Sequence, residues 1–371
     1  MSAMPTTIRP YTRESEAPGR AALFVGRRGV GKTTYLLYHM RGRRFLYVSA
    51  DSPRVADTTL YELGAAAFMA GYEGLVVDEV HFARDWAQHL KALYDEYPHH
   101  TLWASDSSSL VLRQSAADLS RRFVRRYMPL LSFREYVLIK ANRELPRFDP
   151  LDPSYEPGTG QEFADAELLS MWHTYREEGT RPFFGQGNFS DRMLAVLEKT
   201  IHSDIPFFLP QITDGNLRLM NAVISTLAHS NVPRLQVRSL CADWHISAEK
   251  LYQLLFVMES VGLLRVLRYP HDRKAATAGR KLFFSDPVLY TVLRGNEGTA
   301  REAWAAAMIA EHGHHVATSR DEQKGDLVID DRITLEIGGR TKSRKQADIV
   351  VREDIDTAGP GVLPLWQLAC W

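Results

Sequence analysis

The segment that most constrains the fold runs from Gly26 to Thr33 and reads GRRGVGKT. It matches the phosphate-binding loop pattern G-x-x-x-x-G-K-[ST] in full. A short apolar run at residues 21–25 precedes the loop, and residues 34–40, which follow it, have helical spacing. Because the pattern requires this strand, loop and helix order, the segment predicts a nucleoside triphosphatase built on a parallel α/β sheet.

The chemistry of such a loop is anion binding. Its glycines let successive backbone N–H groups point at the β- and γ-phosphates, and the following helix adds its positive N-terminal end. Lys32 supplies a point charge, and the Thr33 hydroxyl is the expected Mg²⁺ ligand. We therefore expect ATP and Mg²⁺ as the bound species. The predicted nucleotide-binding residues are Gly26, Arg27, Arg28, Gly29, Val30, Gly31, Lys32, Thr33 and Thr34.

Length and composition set broad limits. The chain has 371 residues, more than one ordinary domain needs. Lys and Arg total 45 and Asp and Glu total 45, so the overall charge does not indicate a nucleic-acid partner. Two cysteines, Cys241 and Cys370, cannot form a disulfide framework. With neither a secretory segment nor a long apolar run, the sequence predicts a cytoplasmic protein without membrane contact.

Two acidic residues follow the predicted strand at residues 74–77. Asp78 lies where open α/β sheets bind ligands, so we expect it to hold Mg²⁺ directly or through water. Glu79 is the candidate general base, because a carboxylate beside that position can polarise a water for attack on the γ-phosphate. The pair argues against a small-molecule kinase. The sequence also lacks the Asn-Lys-x-Asp motif that reads guanine, which disfavours a GTPase.

Further candidates follow the next two predicted strands. The strand at residues 101–104 ends at a serine-rich turn, where Ser105 and Ser107 are candidate sensors of the γ-phosphate. A serine-rich helix cap is the alternative, and the two roles are compatible. Residues 119–127 form a predicted fifth strand rich in arginine, the residue that stabilises transition-state charge on a phosphoryl group. A solvated edge strand is the alternative.

These motifs together resemble the AAA-type ATPases of bacteria and archaea that carry a C-terminal domain of unknown function similar to the restriction-endonuclease fold. The resemblance implies that Arg122 is the catalytic arginine of the fifth strand, acting in cis or across a subunit interface, and that the protein self-associates. Arg121 stands where the family usually has glycine. The segments that carry the resemblance are the phosphate loop, VVDEVH at 76–81, ASDSSS at 104–109, LSRRFV at 119–124 and MPLLSFREY at 128–136.

The predicted fold class is α/β. A P-loop NTPase parallel sheet of AAA type is followed by a helical lid, a winged helix-turn-helix and an α/β restriction-endonuclease-like domain. The predicted boundaries are 1–20 for an N-terminal arm, 21–136 for the ATPase core, 137–215 for the lid, 216–290 for the winged helix-turn-helix and 291–371 for the nuclease-like domain.

The winged helix-turn-helix is a candidate DNA-binding module. Its third helix offers Lys250 as its one basic side chain, a poor complement to phosphates, so a packing role is the alternative. DNA contact would depend on the wing, whose predicted loop carries His271, Arg273, Lys274, Arg280 and Lys281.

The last segment contains Glu302, Asp326 and Glu336. Their order and strand-end settings resemble the Glu, Asp and Glu-x-Lys set of restriction-like nucleases, in which carboxylates hold Mg²⁺ and the lysine assists the attacking water. Gly338 stands in the lysine position, and Lys342 is a nearby substitute. We therefore expect a degenerate domain that binds a partner or nucleic acid through the basic run at residues 340–345 and cuts little or nothing.

The sequence as a whole predicts a Mg²⁺-dependent ATPase whose hydrolysis drives a conformational switch coupled to binding of DNA or a protein partner. Two alternatives stay open at this point. One is an ATP-gated DNA nuclease that acts through the C-terminal domain. The other is a nucleotide-regulated DNA-binding module with little turnover.

Overall fold

A computed structural model describes the protein over residues 7–108, 119–147, 149–152, 155–156, 160–208, 214–231, 241–271, 281–321 and 323–370. Its contacts divide the chain into two units, Met1–Pro129 and Leu130–Trp371. The finer division into five segments stays a prediction. The helix predicted to begin near Leu110 lies outside the described residues.

A parallel five-stranded sheet forms the centre of the first unit, with the strand order β2-β3-β4-β1-β5. The sheet confirms the predicted parallel α/β architecture and places β4 between the phosphate-loop strand β1 and the acidic strand β3. The central strands are continuously apolar because both faces of a parallel sheet are covered. The strands are β1 (Ala21–Val25), β2 (Phe45–Ser49), β3 (Gly74–Asp78), β4 (Thr101–Asp106) and β5 (Val124–Tyr127).

The helices of the first unit begin at recognisable start signals. The helix predicted over residues 57–72 is shorter, because Thr59 and Glu62 form a reciprocal capping box that sets its start. The described helices are α1 (Pro10–Glu14), α2 (Lys32–His39), α3 (Leu60–Met69) and α4 (Trp86–Glu96), with 3₁₀ turns at Pro53–Val55 and Val80–Phe82.

Two strand predictions in this unit need correction. β4 continues to Asp106, so Ser105 belongs to the strand and does not follow it. β5 begins only at Val124, because β1 offers it partners from Ala22 onward, and a turn closed by hydrogen bonds to the carbonyl of Leu119 precedes it. The arginine-rich segment is therefore part turn and part edge strand.

The second unit begins with helices. The described ones are α5 (Phe133–Ala141), α6 (Ala166–Glu178), α7 (Phe189–Lys199), α8 (Ile205–Phe208), α9 (Asp214–His229), α10 (Ala248–Ser260), α11 (Val288–Val292) and α12 (Glu297–Glu311). A π-helical turn at Thr200–Asp204 joins α7 to α8. Shorter 3₁₀ turns lie at Gln161–Phe163 and Phe184–Gln186.

An antiparallel hairpin of β6 (Leu264–Leu267) and β7 (Lys281–Phe284) follows α10. The Ser247 hydroxyl accepts a hydrogen bond from the Lys250 N–H at the start of α10, as the sequence predicts. Residues 237–240 of the second helix, predicted over 237–244, lie outside the described residues, as do Arg273, Lys274 and Arg280 of the predicted wing.

A second five-stranded sheet closes the unit, with the order β12-β11-β10-β9-β8 and α12 packed against β10. β8, β9 and β10 pair antiparallel, whereas β10, β11 and β12 pair parallel. The strand predicted at residues 364–368 is wrong: β12 ends at Pro364, which has no N–H to donate to a ladder, and a 3₁₀ turn over Leu365–Ala369 follows it. The strands are β8 (Val316–Thr318), β9 (Leu327–Ile329), β10 (Ile333–Gly338), β11 (Ile349–Arg352) and β12 (Val362–Pro364).

Among the helices described here, none has the combination of length and apolar character that crossing a membrane requires.

Candidate nucleotide-binding and catalytic site

The phosphate loop joins β1 to α2 through glycines that no other residue replaces without strain. Gly29 has φ of 81° and Gly31, at the N-cap of α2, has φ of 107°. A side chain on Gly26 would place its first carbon 2.6 Å from the carbonyl oxygen of Met128. The loop is thus held in a conformation that turns its backbone around a small space at the start of α2.

Lys32 lies inside this loop. Its ammonium donates hydrogen bonds to the carbonyl oxygens of Gly26 at 2.7 Å and Arg27 at 3.2 Å, and the side chain is buried. Burial lowers the pKa of Lys32, while the charges of Glu79 and Asp78 oppose that shift. The ammonium therefore lies against the backbone of the loop, and its contact to phosphate stays a prediction.

Val30 and Arg27, two further residues of the loop, contact side chains from outside it. Val30 is fully buried, and its carbonyl accepts a hydrogen bond at 2.9 Å from the guanidinium of Arg9 on the N-terminal arm. Arg27 donates to the hydroxyl of Tyr127 at 2.7 Å. Thr34 lies in the first turn of α2. Arg9 was not a sequence candidate, because nothing local links an arm residue to a loop further along the chain.

Asp78 and Thr33, the predicted Mg²⁺ ligands, are in direct contact. The Thr33 hydroxyl donates to Asp78 Oδ2 at 2.6 Å, and the Tyr47 hydroxyl donates to the same oxygen at 2.9 Å. Ser105 donates a short hydrogen bond to Asp78 Oδ1. A hydroxyl beside a carboxylate is a donor set that suits Mg²⁺, so the residues present fit the ion. Tyr47 was not among the site residues predicted from the sequence, because a tyrosine in the middle of a strand belongs to no functional motif.

Glu79 stands just past the end of β3 with φ of 49° and ψ of 51°, a backbone conformation that is costly for a residue with a side chain. Its Oε2 accepts a hydrogen bond from Ser107 at 3.0 Å, and its Oε1 lies 3.2 Å from Arg28 Nη1. Burial raises the pKa of Glu79, and Lys32 and Arg28 oppose the rise. The structure therefore brings together both predicted acids and both predicted serines, Ser105 on Asp78 and Ser107 on Glu79.

A histidine and an aspartate that the sequence did not single out lie beside Glu79. His81 Nδ1 is 2.6 Å from Asp106 Oδ2 and 3.8 Å from Glu79 Oε2. The His81 backbone N–H also donates to Asp106 at 3.0 Å, and both side chains are buried. This pair ties the end of β4 to the turn that holds Glu79. The sequence feature that could have identified Asp106 as a site residue is its position as a charged residue at the end of an apolar strand.

Arg122 lies outside this group of contacts. Its guanidinium donates to both carboxylate oxygens of Asp95, each at 2.8 Å, in the turn before β5. Its side chain is 27% exposed and that of Asp95 is 46% exposed, so the pair is at the surface of the unit. A role for Arg122 across a subunit interface stays a prediction.

The three C-terminal carboxylates lie on α12, before β9 and on β10, and lysines bind them. Lys281 Nζ donates to Glu302 at 2.6 Å and to Asp326 at 3.3 Å. Lys281 is the first residue of β7 and its side chain is 9% exposed, so it does not lie in the wing loop where the sequence predicts it. Burial lowers the pKa of Lys281, but the two carboxylates outweigh that effect and raise it.

Glu336 is fully buried and is paired with two lysines of the basic run. Its Oε1 is 2.9 Å from Lys342 Nζ and 2.8 Å from Lys345 Nζ. A side chain on Gly338 would collide with the aliphatic stem of Lys342, which therefore occupies the space beside the glycine. Within the described part of the chain, one group of three His and carboxylate side chains is close enough to share a metal: Glu79, His81 and Asp106. That group contains none of the three C-terminal acids Glu302, Asp326 and Glu336, called the tail acids below.

Comparison with known proteins gives a family match over part of the chain. Residues 19–137 match the family model described as an AAA domain. The chain is 25% identical over 297 residues to an uncharacterized protein of Methanocaldococcus jannaschii, and the aligned region covers 72% of this chain and 61% of that relative. The chain thus spans about three fifths of the length of the curated relative it matches.

Two solved structures show a partial likeness. A Walker-type ATPase of Pyrococcus abyssi is 13% identical, with 74% of this chain and 91% of that one covered and a TM-score of 0.42. A variant of RuvB from Thermotoga maritima is 15% identical, with 73% and 86% covered and a TM-score of 0.36. At these scores the likeness assigns neither a substrate nor a partner. Residues 19–137 therefore resemble an AAA domain, and the phosphate loop within them has the left-handed glycines of a P-loop.

Proposed function

We propose that the protein is a Mg²⁺-dependent ATPase whose hydrolysis drives a conformational switch coupled to binding of DNA or a protein partner. One observation carries the ATPase part of the proposal. Lys32, Thr33, Asp78 and Glu79 come from two separate strand ends and converge on one edge of the sheet, with Thr33 and Asp78 2.6 Å apart. This is the edge where open α/β sheets bind their ligands.

Each side chain has a distinct chemical task. Glu79 takes a proton from water as the water oxygen bonds to the γ-phosphorus, and the bond from that phosphorus to the β–γ bridging oxygen breaks, releasing ADP and phosphate. Ser107 holds the Glu79 carboxylate in place for that transfer. Lys32 supplies positive charge to the β- and γ-phosphates. Thr33 and Asp78 would hold Mg²⁺, which would neutralise phosphate charge.

The test is the substitution Glu79→Gln. We expect turnover to fall about 10²-fold to 10⁴-fold, the usual contribution of a positioned base, with ATP affinity retained because the phosphate loop is intact. Steady-state hydrolysis and calorimetric ATP binding measure the two quantities. Glu73→Gln is the matched control, since Glu73 is an exposed residue just before the same strand. Turnover within a few-fold of wild type would show that another group activates the water.

The partner part of the proposal depends on the second unit. In the basic run, Arg340 and Arg344 are exposed, whereas Lys342 and Lys345 are held by Glu336. The lysines around Glu302, Asp326 and Glu336 favour a binding role over metal-dependent cutting, because each acid already has an ammonium group as an ion-pair partner. Hydrolysis rates with and without duplex DNA test the coupling. A rate that rises with DNA supports a coupled ATPase, and a nucleotide effect on DNA affinity without a rate change supports a nucleotide-regulated binding module.

A further inference from the structure

Arg28 is the arginine that the fold places at the catalytic residues. Its Nη1 is 3.2 Å from Glu79 Oε1, and its Nη2 donates to Ser107 Oγ at 3.4 Å. The side chains of Arg28 and Glu79 are each 14% exposed, so the contact is largely shielded from water.

These contacts locate the Arg28 guanidinium at one end of the loop. Glu79 and Ser107 are the side chains that the proposed reaction needs around the γ-phosphate and the attacking water. An arginine that touches both therefore lies on the γ-phosphate side of the site. By contrast, Arg27 is directed to Tyr127 at the end of β5, and Arg122 is engaged by Asp95 in the turn before that strand.

The chemistry of the partners favours a phosphate contact over a purely structural ion pair. A guanidinium presents planar N–H groups that match phosphate oxygens, and a γ-phosphoryl group carries more negative charge than a single carboxylate. Arg28 is also part of the predicted phosphate-binding loop, so it needs no movement of a second element or subunit to reach a phosphate bound there. A positive charge placed here would stabilise the charge that develops as the γ-phosphoryl group is transferred.

We infer that Arg28 contacts the γ-phosphate of ATP in cis and that this contact makes the site discriminate ATP from ADP. The inference rests on the proposed ATPase function and adds a residue role to it. Its consequence is that the arginine of this site is supplied by the phosphate loop itself. Glu79, which is paired with Arg28, then shares that cation with the substrate.

The test measures nucleotide affinity in a background that does not turn over. Glu79→Gln removes the carboxylate partner of Arg28, so adding Arg28→Ala reports on the nucleotide and not on a broken ion pair. We expect Arg28→Ala to weaken ATP binding by about tenfold to a hundredfold, the range for a hydrogen bond to a charged group, and to change ADP binding less than about twofold. Calorimetry with each nucleotide and Mg²⁺ gives both affinities. Arg54→Ala, at an exposed arginine in a surface turn, is the matched control.

The outcomes separate this inference from the proposed function. If the Glu79→Gln protein binds neither nucleotide, the proposed function is wrong. If it binds both and Arg28→Ala weakens ATP and ADP equally, or neither, then Arg28 only shapes the loop and the inference is overturned. Arg28→Lys should recover part of the ATP-specific loss, because it keeps the charge but not the planar donors. A circular dichroism melt confirms that each variant is folded.

Discussion

Two groups of acidic residues in this protein were both predicted from the sequence as Mg²⁺ ligands, but the side chains that contact them differ. Asp78, in the first unit, accepts hydrogen bonds from the hydroxyls of Thr33 and Tyr47. Glu302 and Asp326, in the second unit, share the ammonium group of Lys281. Neutral hydroxyl donors leave the negative charge of a carboxylate available to a cation, whereas a shared ammonium group compensates part of the charge of both acids.

We infer from this difference that Asp78 is more available to a divalent cation than the C-terminal acids Glu302, Asp326 and Glu336 are. The three tail acids form ion pairs with three lysines. Glu302 and Asp326 share Lys281, and Glu336 is paired with Lys342 and Lys345. A divalent ion would have to displace those ammonium groups. The order of the tail acids resembles a nuclease set, but the local charge favours a stable ion-pair cluster.

The largest effect that sharpens this comparison is expected at Lys32. Lys32→Ala removes the cation inside the phosphate loop, leaving backbone dipoles and Mg²⁺ to oppose the β- and γ-phosphate charge, so we expect ATP binding to be lost. Calorimetry with ATP and Mg²⁺ measures it. Lys91→Ala, an alanine substitution on α4 away from the loop, is the control. Unchanged ATP affinity would contradict the assignment of the phosphate loop.

The next effect concerns the lysine that holds the tail acids. Lys281→Ala leaves Glu302 and Asp326 without their shared cation. We expect a loss of about 3 kcal/mol in the free energy of unfolding, at the lower end of the cost of breaking a buried ion pair. The lower end applies because the two acids keep 22% and 20% of their side-chain surface exposed. Urea denaturation measures the loss.

Two further variants check the cause of that loss. Lys324→Ala, at an exposed lysine, should leave stability near that of wild type. Adding Glu302→Gln and Asp326→Asn to Lys281→Ala should restore most of the lost stability, because no uncompensated charge is then left. A triple variant as unstable as Lys281→Ala would mean that the lysine acts through its packing and not through its charge.

A smaller effect is expected at Arg122. If it acts across a subunit interface, mixing Lys32→Ala protein with Arg122→Ala protein should restore part of the ATPase activity, because some mixed assemblies contain an intact composite site. Light scattering confirms that the two proteins assemble. Asp95→Asn tests the surface pair alone and should leave turnover near wild type. Absence of rescue in confirmed assemblies would assign Arg122 to the pair with Asp95.

The last prediction is the absence of an effect. Wild-type protein incubated with plasmid, ATP and either Mg²⁺ or Mn²⁺ should cut little or nothing, because all three C-terminal acids form ion pairs with lysines that a metal ion would have to displace. Agarose electrophoresis separates nicked and linear forms. Nicking that disappears in both Asp326→Ala and Glu336→Ala would show a live nuclease, and the contrast between the two acidic groups would then fail.

Much of the first unit could be predicted because its signals are local. The strand before the phosphate loop and the strand that ends in the two acids were each predicted from a short apolar run, and the structure forms them as β1 and β3. The fifth strand was predicted too long, since its start depends on where β1 can pair with it. The prediction of a strand at residues 364–368 failed because the apolar pattern continues past Pro364, where β12 ends, into a 3₁₀ turn.

The sequence alone identified the phosphate loop and the pair Asp78 and Glu79, because their chemistry is written in consecutive residues whose backbone follows from glycine spacing and strand ends. Tertiary structure alone decided that Arg28 meets Glu79, that His81 meets Asp106, and which lysines neutralise the tail acids. The first two of these contacts join residues that are far apart in the sequence: Arg28 and Glu79 are 51 positions apart, and His81 and Asp106 are 25 positions apart. No short-range pattern encodes such pairs, since they exist only after separate strands come together in a sheet.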